Sequence, residues 1–328
     1  MLVLAGDIGG TKTNLALYRA DGPALELVRA ATYKSAEHSG LPAVISAFFG
    51  SETPVLAAAG FGIAGPIVNG EVRTTNLPWH ISAAELAVLL QVPQVALLND
   101  LESTALAALV LPESELQVLQ PGLARKGHCG IIAAGTGLGQ AYAFWDGQRH
   151  IAVGTEGGHA DFAPRTELEL ELLRFLLKDY ARVSYERLLS GRGLGNIFRF
   201  MREVQKLEVA AVVQARIDAG HDLGAIVGEA AVAGTCPASI ASVELFLTLY
   251  GAQAGNLALT VMALGGVYVG GGIIGRLLPR VRQDNWLLAF RTKGRYSPLM
   301  EEIPVRIILN PNASLIGAAQ AAAQLLAH

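Results

Sequence analysis

Four short stretches of this chain combine residue types suited to chemistry on a small, polar, anionic molecule. The first is Gly6-Asp7-Ile8-Gly9-Gly10-Thr11, set between the apolar runs Leu2–Ala5 and Thr13–Tyr18. Glycines let backbone N–H groups approach an anion with no Cβ in the way, the Thr11 hydroxyl adds a donor, and Asp7 can reach a metal ion or its water shell. A glycine turn between strands also serves hairpin geometry alone, so by itself the motif reads either way. A second copy shifts the balance: Gly135-Thr136-Gly137 follows the apolar run 130–134 and leads into 138–145, reaching Asp146-Gly147 as the first copy reaches Asp21-Gly22. Two such hairpins facing each other across a cleft can hold a nucleotide's phosphates.

The third stretch is Asn99-Asp100, at the end of the apolar run Val95–Leu98 and just before a helix expected from Leu101. An Asp there serves as a helix N-cap or as a reactive carboxylate, and the position alone does not choose. The fourth is Gly154-Thr155-Glu156-Gly157-Gly158-His159. Its glycines disfavour a stable helix, so Glu156 and His159 can turn to one small polar ligand. Gly270-Gly271-Gly272 follows the strand-like run Val267–Val269, where glycine fits either a close approach to a flat ligand or an ordinary strand-to-helix turn. Lys12, beside the first turn, is a phosphate-neutralising group or a solvated lysine.

These residues need a scaffold, and the composition allows a large one. In 328 residues, 52% hydrophobic against 16% charged provides core for one large or two moderate domains. A formal net charge of -3 gives no basic field for nucleic acid. Two cysteines, Cys129 and Cys236, are too few for a disulfide framework or a Cys-rich zinc site, and Met1-Leu2-Val3 has no cationic lead, so the expectation is a cytoplasmic chain. The run from Glu244 to Arg276 has no charge between its ends, yet its glycines, Gln253 and Asn256 favour a buried helix followed by a core strand over a membrane span. Strands are expected at 25–33, 55–64, 95–98, 267–269 and 305–309. Helices are expected at 42–49, 86–90, 166–180, 184–189, across 194–263 and at 314–326, with capping boxes at Ser82/Glu85 and Thr166/Glu169. A strand-rich α/β unit thus precedes a larger, more helical one that starts near residue 110.

The paired Gly/Thr hairpins resemble the phosphate loops of the sugar kinase, actin and Hsp70 superfamily. Asn99-Asp100, Glu156-Gly157-Gly158-His159, Glu186 in Ser184-Tyr185-Glu186-Arg187 and Lys293-Gly294-Arg295 resemble bacterial glucokinases along almost the whole chain. The resemblance is to the branch without the Cys-rich zinc loop of the repressor and kinase group. It implies a two-lobed, actin-like (ribonuclease H-like) α/β fold with its active site in the interlobe cleft, a small domain of 1–109 plus 311–328 and a large domain of 110–310. It implies phosphorylation of glucose at the 6-hydroxyl by ATP with Mg²⁺, with Asp100 as catalytic base. Asn76, Asn99, Asp100, Glu156, His159 and Glu186 would bind the sugar. Gly6, Asp7, Ile8, Gly9, Gly10, Thr11, Gly135, Thr136, Gly137 and Gly271 would bind the nucleotide, with no direct protein ligand to the metal and Asp7 meeting it through water. A homodimer is implied as well, and a sugar-sensing regulator or a kinase of another hexose is the alternative. An amide, carboxylates and an imidazole suit a polyol, whose hydroxyls each donate and accept.

Overall fold

Aliphatic side chains alternate along Leu2–Ile8 and recur through Lys12–Asp21, so both segments extend as strands, β1 and β2, around the glycine turn. The computed structural model describes residues 1–22, 24–74, 77–281 and 283–327 and pairs the two strands antiparallel, with Asp7 opposite Asn14. β3 (Ala24–Lys34) completes the meander, and α1 (Leu41–Phe49) follows with Pro42 in its first turn. Next come β4 (Ala58–Ile63), the short pair β5 (Glu71–Arg73) and β6 (His80–Ser82), α2 (Ala83–Leu90), β7 (Val95–Asn99) and α3 (Asp100–Ala108). The expected strand from Val55 starts three residues late, at Ala58, and Val55 itself is exposed. The Asn69-Gly70 turn has both residues at positive φ, 54° and 75°.

The chain continues through β8 (Leu116–Gln120), β9 (Cys129–Ala134), β10 (Leu138–Trp145), β11 (His150–Thr155), α4 (Glu167–Leu176), α5 (Gly191–Glu203), α6 (Ala211–Asp218), α7 (Leu223–Ala233) and α8 (Pro237–Val261). It ends with β12 (Gly266–Gly270), α9 (Gly272–Leu277), α10 (Gln283–Arg291), α11 (Ser297–Glu302), β13 (Val305–Ile308) and α12 (Ala313–Gln324). Two differences from the expected elements bear on function. Residues 184–189 form only a 3₁₀ turn at Tyr185–Arg187, with no side-chain cap from Ser184, and α4 stops at Leu176.

Two compact units result: Met1–Glu113 with Tyr142–Gly154 and Asn310–His328, and Ser114–Ala141 with Thr155–Leu309. The sequence suggests a division at 109/110; residues 142–154 group with the first unit. One sheet has the order β3-β2-β1-β4-β7, the other β11-β10-β9-β12-β13-β8. In the first unit β1 sends Leu4 and Ile8 to a core shared with α1 and Phe61, and Val3 and Ala5 to one shared with α12. Alanines 318, 319 and 322 make α12 slim enough to lie on β1, β4 and α3, which accounts for its weak amphipathicity. In the second unit the uncharged run becomes α8, buried along most of its length, and then β12, buried throughout. Among the described residues no single helix is long and apolar enough to cross a membrane; α7 and α8 pass that test together only as a pair bent by 101°.

Candidate active site

In the first unit the Gly9 N–H donates to the Lys12 carbonyl at 2.9 Å, closing the turn. Ser35 Oγ donates to the Gly9 carbonyl at 2.8 Å and pins the turn to the residues after β3. Asp7 accepts from Asn14 Nδ2 at 3.2 Å, and Asn14 Oδ1 accepts from Thr32 Oγ1 at 2.8 Å, so a polar ladder across three strands orients this carboxylate. At the end of β7, Asn99 rather than Asp100 caps α3. Asn99 Oδ1 accepts from the Glu102 N–H at 2.6 Å and Glu102 Oε2 accepts from the Asn99 N–H at 2.8 Å, a full capping box. Asp100 is therefore the first helical residue, with Oδ1 accepting from the Leu101 N–H at 3.0 Å, and the cap does not depend on it. The second oxygen of Glu102 accepts from the Gly154 N–H at 2.9 Å.

In the second unit the other glycine loop is held from several sides. The Gly135 N–H donates to the Gly137 carbonyl at 2.8 Å, the Gly191 N–H to the Gly135 carbonyl at 2.9 Å, and the Leu138 N–H to Glu186 Oε2 at 3.1 Å. Below the loop, the buried Tyr250 hydroxyl accepts from the Ala134 N–H and lies 3.1 Å from the carbonyls of Ile132 and Gly270, tying β9 to β12. Burial pushes its ionisation well above the ordinary tyrosine range. Gly271 sits at φ 93° with its Cα so close to β9 that a Cβ would lie 2.2 Å from the Ala134 carbonyl oxygen. The glycine triplet is thus packed directly against the start of the Gly135-Thr136-Gly137 loop. Both border a cleft of about 1150 Å³ inside this unit, lined also by Glu186, Ser190, Gly191 and residues along the length of α7 and α9.

Glu156 to His159 form a 3₁₀ turn, with the His159 N–H donating to the Glu156 carbonyl at 3.0 Å. The glycines serve close packing more than flexibility: a Cβ on Gly158 would lie 1.9 Å from the Leu138 carbonyl, so the turn rests on the first residue of β10. His159 Nε2 stands 3.8 Å from Glu156 Oε2 and 4.0 Å from Glu186 Oε2, beyond hydrogen-bond reach of either. Those side chains are 78%, 54% and 31% exposed for Glu156, His159 and Glu186, so their polar atoms remain open to a ligand's hydroxyls. Arg182 steadies the segment by donating to the His159 carbonyl at 2.6 Å and to Asp161 Oδ1 at 2.8 Å.

Of the residues expected to bind one sugar, Asn99 and Asp100 lie in the first unit, and in the second His159 stands near both Glu156 and Glu186. Asn76 lies outside the described residues. The glucokinase family model matches residues 4–325. The chain belongs to the glucokinase family. It is 42% identical over 342 aligned positions to the glucokinase of Trichormus variabilis, covering 99% of each chain. The crystal structure of a glucokinase from an Antarctic psychrotroph superposes with a TM-score of 0.87 at 30% identity, covering 98% of this chain and 99% of that one. A glucokinase from Balamuthia mandrillaris, solved in complex with glucose, shares the fold at a TM-score of 0.76, 23% identity, and 98% and 93% coverage. The enzyme is therefore an ATP-dependent glucose kinase on the actin-like α/β fold.

Several residues that shape these clusters escape a reading of the sequence. Asn14 orients Asp7 from the facing strand, Glu102 joins Asn99 to Gly154, and Ser190 caps α5 by accepting from the Gly193 N–H at 3.0 Å. The Asn-x-x-Glu spacing of 99–102 was a legible signal for the second of these. The cleft lining from α7 had none, because residues 222–225 carry no motif.

Proposed function

We propose that Asp100 is the catalytic base of this glucokinase and that Asn99, Glu156, His159 and Glu186 bind the hydroxyls of glucose, with Asn76 as a further sugar contact. Asp100 takes the proton of the 6-hydroxyl as that oxygen bonds to the γ-phosphorus of ATP. The bond from that phosphorus to the β,γ-bridging oxygen breaks, leaving ADP and glucose 6-phosphate. Gly6, Asp7, Ile8, Gly9, Gly10 and Thr11, with Gly135, Thr136 and Gly137, cradle the phosphates, and Gly271 faces the adenosine. The single observation carrying this reading is the division of labour at 99–102. Asn99 and Glu102 complete the helix cap without the Asp100 carboxylate, and Glu102 holds Gly154, from which the chain enters the Glu156–His159 turn.

The donor set fits Mg²⁺ carried by the nucleotide. Asp7 is an oriented carboxylate beside a glycine turn, and hard oxygen ligands suit that ion. Among the described residues no group of three His, Cys, Asp or Glu is arranged to hold a metal ion, and an ion bound by phosphates and water needs none. Mg²⁺ would neutralise phosphate charge when bound, and Asp7 would hold its water shell. The family resemblance supports a homodimer, and the need for ATP together with only two cysteines, both buried, supports a place in the cytoplasm. Glu156→Gln tests the sugar assignment: glucose affinity, measured by calorimetry without nucleotide, is expected to weaken about tenfold or more while ATP binding holds. Unchanged glucose affinity overturns it.

A further inference from the structure

Lys293 follows α10 and turns its side chain inward rather than toward water. Gly255 of α8 makes the room, since a Cβ there would lie 2.7 Å from Lys293 Cε. The ammonium donates to Asn256 Oδ1 at 2.5 Å and to the Ala252 carbonyl at 3.0 Å, both on α8. An ammonium only donates, so the Asn256 amide must show it oxygen and turn Nδ2 the other way. That Nδ2 donates to the Tyr185 hydroxyl at 3.1 Å and to Gln253 Oε1 at 2.9 Å. Tyr185 immediately precedes Glu186. Its N–H donates to the Ala160 carbonyl at 3.0 Å, and its ring meets Phe162 edge-on at 5.6 Å. The residues on either side of this anchor are therefore the two arms of the sugar cluster, His159 and Glu186.

We propose that Lys293 is a positioning residue for the glucose site, fixing Asn256 and through it the Tyr185 anchor that sets Glu186 and His159. The proposal rests on the assignment of Glu186 to the sugar. The charge acting on Lys293 is that of Arg165, whose guanidinium is itself paired at 2.7 Å with the buried Glu169 of α4; from α8 it meets the neutral Ala252, Gly255 and Asn256. Lys293→Met frees the amide to rotate and loosens the anchor; of this chain of contacts only its end, Glu186, lines the cleft beside Gly135 and Thr136, and Lys293 and Tyr185 do not.

The test is steady-state kinetics and glucose calorimetry on Lys293→Met, Tyr185→Phe, the double variant and Glu186→Gln. Lys293→Met is expected to raise the KM and Kd for glucose about tenfold with the KM for ATP within about twofold and kcat within about threefold. Tyr185→Phe, which removes one oxygen and keeps the ring, is expected to act in the same direction and carries the test if Lys293→Met does not fold. The double variant should bind glucose no worse than Lys293→Met within about twofold, because both changes cut one chain of contacts. Glucose KM unchanged in both single variants, glucose and ATP KM rising together, or effects that multiply would overturn the proposal. If Glu186→Gln weakens glucose binding and the other two variants do not, Lys293 alone loses its role. If Glu186→Gln has no effect, the assignment of Glu186 falls and the proposal with it.

Discussion

Gly137 offers a way to move one carboxylate oxygen without touching the carboxylate. A Cβ at that position would lie 2.5 Å from Glu186 Oε2 and 3.3 Å from its Cδ, where an ordinary contact needs about 3.4 Å, so the oxygen must retreat by roughly 0.9 Å. The backbone of Gly137 is not in the left-handed region, and the obstacle is the end of a flexible side chain, so the fold should accept Gly137→Ala. What is lost is the 3.1 Å bond from the Leu138 N–H, the contact that holds Glu186 in place. A hydrogen bond to a charged group contributes on the order of 1.5–3 kcal/mol, but water can reach this half-buried carboxylate and replace much of that. The thermal midpoint should fall by only a few degrees. Binding should suffer more, since a misplacement approaching 1 Å is worth about 10²-fold in a preorganised site. Calorimetry with glucose alone, free of any effect on phosphate binding, is expected to show Kd raised about 10- to 100-fold. Glucose affinity within twofold of the parent, in a folded variant, would refute the link between this loop and the sugar.

Gly271→Ala combines a φ of 93° with a Cβ 2.2 Å from the Ala134 carbonyl, so the β9 end must shift and the KM for ATP should rise at least about tenfold, with glucose binding in the absence of ATP nearly unchanged. Burial, reinforced by Arg165, pulls the Lys293 ammonium down to about 8 from an ordinary value of 10.5, so in that window the unfolded chain holds the proton more tightly than the folded one. The resulting destabilisation is fully present below pH 8 and disappears as pH rises to 10.5. The difference in thermal midpoint between the parent and Lys293→Met should therefore grow in the parent's favour across that range, and a flat difference would contradict it. Cys129, buried and pushed up to about 12, should resist thiol reagents at pH 8 in the folded enzyme and react on denaturation.

Local chemistry made the two glycine hairpins legible, because glycine turns between aliphatic runs depend on neighbours in the chain. The same holds for the α8–β12 reading of the uncharged run: interspersed glycines, Gln253 and Asn256 already argue for a protein interior. Where the reading fell short, the deciding contacts join distant residues. Asn99 rather than Asp100 caps α3 because Glu102 can close the box only with the residue three before it. The glycines of Glu156-Gly157-Gly158-His159 are read from the sequence as helix breakers, yet their purpose is set by Leu138 and Gln140 on a different strand. Lys293 looks like a surface lysine until Gly255, far from it in the chain, opens a place for its side chain.

The most direct test of the account is Asp100→Asn, which keeps size and leaves the Asn99–Glu102 cap intact while removing the proton acceptor. Glucose Kd should stay within a few-fold of the parent while kcat with saturating ATP and glucose falls by about 10³-fold, within the range a positioned general base supplies. A folded Asp100→Asn enzyme that keeps more than about a tenth of its kcat would show that the sugar's proton leaves by another route.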